Sequence, residues 1–145
     1  MNMSRTAATL ETKAPSKGWH IGLWVAQVLL AVGFGMAGLM KLATPYADLA
    51  QKMAWAQHTP AALVKFIGVV ELAGALGLIL PAATRIKPFL TPLAASGLVV
   101  IMVLAIGLHV SIGEVPKPNF VLGGIAALVA WGRWRKAPIS PRSGN

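Results

Sequence analysis

The chain has no cysteine among its 145 residues. Disulfides, thiol redox chemistry, persulfide relays and covalently attached c-type haem are therefore excluded within it. Charge is also scarce: 12% of residues are charged, against about 25% in an average soluble domain. Acidic residues are the rarer sign, four against thirteen Lys and Arg. Three histidines with no His-x-x-x-His spacing do not make a zinc pattern. A haem held by two histidines would need His58 and His109 and is not expected. Met36, Met40 and Met102 read as packing residues rather than copper ligands. No glycine-rich phosphate loop, serine-nucleophile elbow or dinucleotide fingerprint follows a strand. No catalytic residue and no metal ligand is assigned, and the chain is not expected to be an enzyme on its own.

Apolar residues dominate what remains. They make up 56% of a chain long enough for one domain, and the mean hydropathy is +0.67. The formal net charge of +9 raises nucleic-acid binding as a function. The cations, however, lie in the tails and one turn beside apolar segments, which is the pattern of membrane topology. The partner expected is the lipid bilayer, not nucleic acid.

Four apolar runs carry this reading: His20 to Leu42, Ala61 to Leu80, Phe89 to Val110 and Asn119 to Trp134. Crossing a hydrocarbon core of ~30 Å takes roughly 20 helical residues. The first three runs suffice. The fourth has 16 residues, about 24 Å, and needs Trp131, Arg133 and Trp134 as headgroup anchors, with local thinning. The runs lack strict alternation and are rich in Ala, Leu and Gly, so strands are not expected. The first run is too long for the apolar core of a cleaved signal peptide and is followed by three more. The expected fold is all-α: a polytopic membrane protein with four transmembrane helices in a bundle. Residues 19–136 form that domain. The flanks, 1–18 and 137–145, are polar and basic and are expected to be disordered cytoplasmic tails.

Orientation follows from Lys and Arg. Arg5, Lys13, Lys17, Arg85, Lys87, Arg133, Arg135, Lys136 and Arg142 fall on one side, nine in all, against Lys52 and Lys117 in the other connections. The richer side is cytoplasmic. The long outer connection, Ala43 to Pro60, spaces Leu49, Met53 and Ala56 helically, opposite Asp48 and Lys52. It predicts a short interfacial helix over Tyr46 to Gln57.

The polar residues within the runs are few. Glu71 stands ten residues past Ala61, about 15 Å down its helix and near the bilayer midplane. A carboxylate there costs roughly 3 kcal/mol if it meets lipid, so burial against protein is expected. Gly68, Gly74 and Ala75 lie beside it; Gly33, Ala37 and Gly38 lie beside Lys41. Small residues allow close helix approach. Two small-residue faces thus carry opposite charges, and Lys41 and Glu71 can meet directly or through water. His109 and Asn119 fall at the same outer level, with Gln57, His58 and Lys65 nearby. These residues converge on an outward cavity with Glu71 at its floor; on the inner half, Gln27 is the main polar residue. The alternatives are a helix-packing ion pair for Glu71, snorkelling for Lys41 and Lys65, and an interfacial role for His109 and His20.

In order along the chain, "VGFGMAGLMKL", "FIGVVELAGALGLILP" and "MVLAIGLHV", followed by a last helix opened by Pro118 and Asn119, resemble the DoxX and DoxX-like membrane proteins over roughly residues 20 to 134. The resemblance implies a small four-helix bundle of the bacterial cytoplasmic (inner) membrane. It carries Lys41 and Glu71, and by a looser match His109, to the family's polar positions. The family's name comes from a subunit linked to thiosulfate:quinone oxidoreduction, and other members look like accessory partners of redox enzymes or assembly factors. Three functions are compatible with these residues. The first is an accessory subunit of a redox or assembly complex, with a quinone or other small apolar ligand held by Glu71, Lys41, His109 and Asn119. The second is a structural or assembly protein, in which the buried charges set helix register. The third is a proton-coupled transporter of a small solute, which would need a homo-oligomer because one four-helix bundle shows no inverted repeat.

Overall fold

The computed structural model describes residues 14–144. The first part of the tail expected at 1–18, positions 1–13, lies outside the described residues, as does position 145. Ser16 starts the first helix, α1 (Lys17–Ala43), its hydroxyl accepting from the Trp19 N–H at 3.3 Å. This satisfies one of the donors that a helix N-terminus leaves unpaired. Two short helices follow, α2 (Tyr46–Lys52) and α3 (Ala54–Gln57), then α4 (Ala61–Thr84), α5 (Leu90–Ser111) and α6 (Lys117–Trp131). A π-helical turn, Gly132–Lys136, continues α6 without a break. Among the described residues there is no strand, as the run pattern predicts.

Helices α1, α4 and α5 are each long and apolar enough to cross a membrane. Helix α6, at fifteen residues, is not. The four pack in a ring: α1 on α4, α4 on α5, α5 on α6, and α6 back on α1. Leu30, Phe34, Leu78, Leu98 and Val129 fill the middle. The outside is equally apolar. On α1, Val25, Leu29, Val32, Met36 and Leu39 form an exposed stripe at helical spacing. Phe66, Val69 and Leu80 do the same on α4, and Val100, Val103 and Leu104 on α5. Soluble monomers rarely leave faces of that kind bare.

Glycines set how closely the helices approach. A Cβ on Gly38 of α1 would lie 2.7 Å from the Gly68 carbonyl oxygen and 2.9 Å from the Leu72 nitrogen of α4. Backbone meets backbone there, as small-residue faces allow. On the other side of α4, Gly74 receives the Leu98 side chain and Gly77 receives Ala94, both from α5. The end of the bundle where α1 starts and the π turn finishes, called inner here after the expected orientation, is fastened separately. Arg85 donates from Nε to the Ser140 carbonyl at 3.0 Å, and the Arg142 N–H donates to the Arg85 carbonyl at 2.9 Å.

The outer connection differs from expectation in one respect. The helix expected over Tyr46 to Gln57 is two helices, broken at Met53, whose φ of −131° is extended. Leu49 and Ala56 are buried with Val64, while Asp48 and Lys52 are exposed, as the spacing requires. So short a helix has little intrinsic stability, and tertiary contacts decide its course. The break turns Trp55 over Lys41. The Tyr46 hydroxyl sits 2.9 and 3.0 Å from the Ala56 and Thr59 carbonyls, tying both pieces together.

The glycine contacts predict opposite outcomes for two alanine substitutions. Gly38→Ala must push α1 from α4, because the atoms it meets are backbone. The cost expected is roughly 1–3 kcal/mol, the range for overpacking. Gly97→Ala meets nothing within 4 Å and removes a flexible helix residue, a gain of up to about 1 kcal/mol. Unfolding midpoints of the two variants in detergent check this. An unchanged midpoint for Gly38→Ala would disprove the close approach.

Candidate functional site

The close contact of α1 with α4 places two charges face to face. Lys41 lies in the last turn of α1, one turn beyond Gly38; Glu71 lies on α4, one turn beyond Gly68. The Lys41 Nζ donates to Glu71 Oε2 at 2.7 Å. The residues are 8% and 4% exposed. A buried pair is tolerated when geometry is good and further hydrogen-bonding or aromatic contacts compensate for lost water. Here the ammonium also lies 5.7 Å from the centroid of the Trp55 ring, a cation–π distance. Among the described residues the second carboxylate oxygen, Glu71 Oε1, has no protein hydrogen bond, and unlike Thr91 Oγ1 and Arg133 Nη2 it is not sealed from its surroundings. It opens on a cavity.

That cavity has a volume of about 560 Å³, within the roughly 300–1,000 Å³ of small-molecule sites. Its walls are the outer halves of α1, α4, α5 and α6, and its roof is Met53, Trp55 and the His58–Pro60 turn. Glu71, Lys41, His109 and Asn119 all line it. The remaining lining is almost entirely apolar, with Phe34, Phe66, Ile101 and Leu108 prominent. The four residues are not one network. Lys41 and Glu71 are bonded to each other. The His109 ring is 6.4 Å from that of Trp55, centroid to centroid. The Asn119 side chain has no hydrogen bond to the other three.

His109 has a partner that the sequence reading missed. Its Nδ1 lies 2.6 Å from Glu114 Oε2. The chain folds back because Gly113 takes φ +80° at the end of α5. The Gly113 N–H then donates to the Val110 carbonyl at 3.0 Å, and the Glu114 N–H to the His109 carbonyl at 2.9 Å. This is the Schellman helix ending, which brings the second residue after the cap beside the last full turn. "H-x-x-x-G-E" at a helix end was the available signal.

Lys65 does not snorkel. Its Nζ donates to the carbonyls of Lys41, Leu42 and Thr44 at 2.8, 3.0 and 2.7 Å. These are carbonyls at the end of α1, where the helix dipole also favours a cation. Gln57 serves locally, donating to the Ala50 carbonyl at 2.8 Å, and His58 sits exposed on the cavity roof.

On the inner half Gln27 has a charged partner. Arg133, 2% exposed, donates from Nε to Gln27 Oε1 at 2.6 Å and from Nη1 to the Ala137 carbonyl at 3.1 Å. Gln27 Nε2 donates in turn to the Leu78 carbonyl at 2.6 Å, just before Pro81 interrupts the α4 ladder. His20 Nδ1 is 3.2 Å from Arg133 Nη1, and Trp24 lies under the guanidinium. Arg133 reads in the sequence as one more basic residue at a helix end. The π turn carries it inward instead, and the signal was an inner Gln27 in need of a partner.

A helical chain with three candidate spans, an apolar exterior and one ion pair buried beside a cavity has the build of a small membrane protein. The chain belongs to the DoxX-like family, whose family model matches residues 25–132, the region holding both members of the ion pair. No curated protein and no solved structure matches it.

The pair makes a prediction through a double-mutant cycle. Glu71→Ala leaves Lys41 buried without its anion and should cost about 3–5 kcal/mol. Adding Lys41→Met should recover part of that loss. A coupling well above ~0.5 kcal/mol is expected for groups in contact. Unfolding of the two single variants and the double variant measures it, and additive effects would mean the two charges do not stabilise each other.

Proposed function

We propose that this chain is a four-span protein of the bacterial cytoplasmic membrane that serves as an accessory subunit of a redox or assembly complex and holds a small apolar ligand in its outward cavity. The observation that carries the reading is Glu71. A carboxylate near mid-membrane, with one oxygen on Lys41 and the other open to an apolar cavity of about 560 Å³, is an expensive arrangement for packing alone. It can accept a hydrogen bond from a ligand while Lys41 donates one. A quinone is one candidate, carried by the family resemblance. The domain would run over residues 19–136, with α6 and its π turn together forming the fourth span and both flanks in the cytoplasm. The clustering of Arg85, Arg133, Lys136 and Arg142 at one end of the bundle supports that orientation. The α2–α3 segment would lie at the outer surface.

A second reading has its own observation. The direct 2.7 Å contact of Lys41 with Glu71 is what a device for fixing helix register would also use. In that case the protein is a structural or assembly partner with no ligand.

One measurement tests the topology and a second separates the two readings. Single cysteines at Gln57 and Ser143 should react with a membrane-impermeant thiol reagent differently in intact cells: position 57 labelled, position 143 protected until the membrane is opened. The reverse pattern would invert the topology. Glu71→Gln keeps shape and much of the hydrogen bonding. It leaves Lys41 without its anion, so it should lose stability under both readings, but less than Glu71→Ala and without preventing folding. Small molecules co-purifying with the wild type, identified by mass spectrometry, should be lost from Glu71→Gln under the ligand reading. Identical co-purified material would leave the register reading.

A further inference from the structure

Helices α4 and α5 touch on their inner halves and part on their outer halves. The touching residues are Gly74 and Gly77 of α4 against Leu98 and Ala94 of α5. One heptad outward on the same helix faces come Ile67 of α4 and Ile101 of α5, and these line the cavity. Further out, Leu63 and Leu104 line it too, and they are also exposed on the outside of the bundle, at 46% and 65%. Phe66, likewise on both the cavity and the exterior, is 60% exposed. A residue that faces the cavity and the exterior at once marks its mouth. One edge of the mouth is therefore at the side of the bundle, between α4 and α5, where these three rim residues are apolar; by the same rule Met40, His58 and Pro60 border it at its outer end. Trp55 and Thr59 lie across the top, half-buried and buried, beside the exposed His58.

We propose that this gap is a lateral portal, through which an uncharged lipophile bearing a single hydroxyl group passes from the outer leaflet and docks that hydroxyl on Glu71. The proposal rests on the membrane reading above and names the ligand class of the same cavity. Three features select the class. The walls and the portal edge between α4 and α5 are apolar, so the body of the ligand is hydrocarbon. At the floor the pair presents one acceptor, Glu71 Oε1, and one ammonium donor, Lys41 Nζ. A hydroxyl satisfies both at once, since it donates one hydrogen bond and accepts others. The pair is already neutral in sum, so a charged head would enter an apolar site with no counter-charge, which is costly. A phospholipid is excluded by the same argument, because its headgroup would have to leave the interface and sit at the depth of Glu71.

The portal and the ligand class are tested separately, in the full chain reconstituted into vesicles. For the portal, Ala105, a cavity-lining residue, is replaced by cysteine and carries a nitroxide. Collisions with oxygen, which concentrates in the bilayer, should exceed those with a water-soluble nickel chelate. The opposite ratio would mean the cavity opens to water and would overturn the portal. This readout needs no ligand. For the class, a long-chain primary alcohol with a diazirine in its chain is photolysed beside the matching alkane and the matching fatty acid. The alcohol should label cavity residues of α4 and α5, and excess unlabelled alcohol should remove that labelling. The alkane and the acid should label only the exposed outer stripes of α1, α4 and α5. Ala105→Trp, which fills cavity space and leaves both members of the ion pair unsubstituted, should abolish cavity labelling and leave the outer stripes unchanged. Equal cavity labelling by alcohol and alkane, or labelling that survives Ala105→Trp, would overturn the hydroxyl assignment. Bilayer access without alcohol labelling would overturn the ligand class and leave the cavity of the proposed function standing.

Discussion

The contact of Gly38 with Gly68 is the constraint from which the outer half of the molecule follows. With any side chain at Gly38, a Cβ would press on the α4 backbone. Without one, α1 and α4 approach until the residues one turn on, Lys41 and Glu71, are within direct reach. By sequence spacing alone, only fully extended side chains would just meet. The observed 2.7 Å bond exists because the backbones are closer than ordinary side-chain packing permits. Two glycines thus convert an awkward separation into a buried ion pair, and the pair in turn gives the cavity its only charged floor.

The end of α1 is held by a second lysine with a different task. Lys65 gathers three carbonyls there and so fixes where Lys41 leaves the helix. Trp55 lies over the Lys41 ammonium, and Trp55 comes close to His109, whose partner Glu114 is set by the Gly113 turn. The outer rim is therefore assembled from four separate chain segments, each delivered by a local backbone rule: a glycine contact, a helix C-terminus, a helix break and a Schellman ending. None of these rules concerns a ligand, yet their sum is a half-open apolar chamber with polar groups at its floor and rim.

Much of this was legible in the sequence, and the parts that were not share a cause. The helices were readable from run length, and the three long ones are found. Glu71, Lys41, His109 and Asn119 were placed together because few polar residues fall in the apolar runs and helical rise gives their depth. Those are one-dimensional quantities. What escaped depends on rotation and on backbone departures from ideal helix. Arg133 reads as a terminal basic residue until a π turn carries it inward to Gln27. Lys65 reads as a snorkelling lysine until the end of α1 is known to face it. The break at Met53 is invisible in a pattern that keeps Leu49, Met53 and Ala56 in register.

The two ends of the bundle divide the work in a way that small size requires. Four helices cannot be tightly packed along their whole length and also enclose a chamber. Here the inner half is tight: Leu98 and Ala94 sit on Gly74 and Gly77, Leu23 sits against Gly132, and Arg133 reaches across to Gln27 and through it to Leu78. These contacts hold α1, α4, α5 and the end of α6 together below the level of Glu71. The outer half is then free to open on the α4–α5 side, while α1 stays on α4 through Gly38 and Gly68. The glycines of α4 that receive α5 lie below the level of Glu71, and the residues above them, Ile67 and Ile101, face the chamber instead. An open chamber on the outer side and a closed polar clamp on the inner side are therefore two consequences of one packing choice.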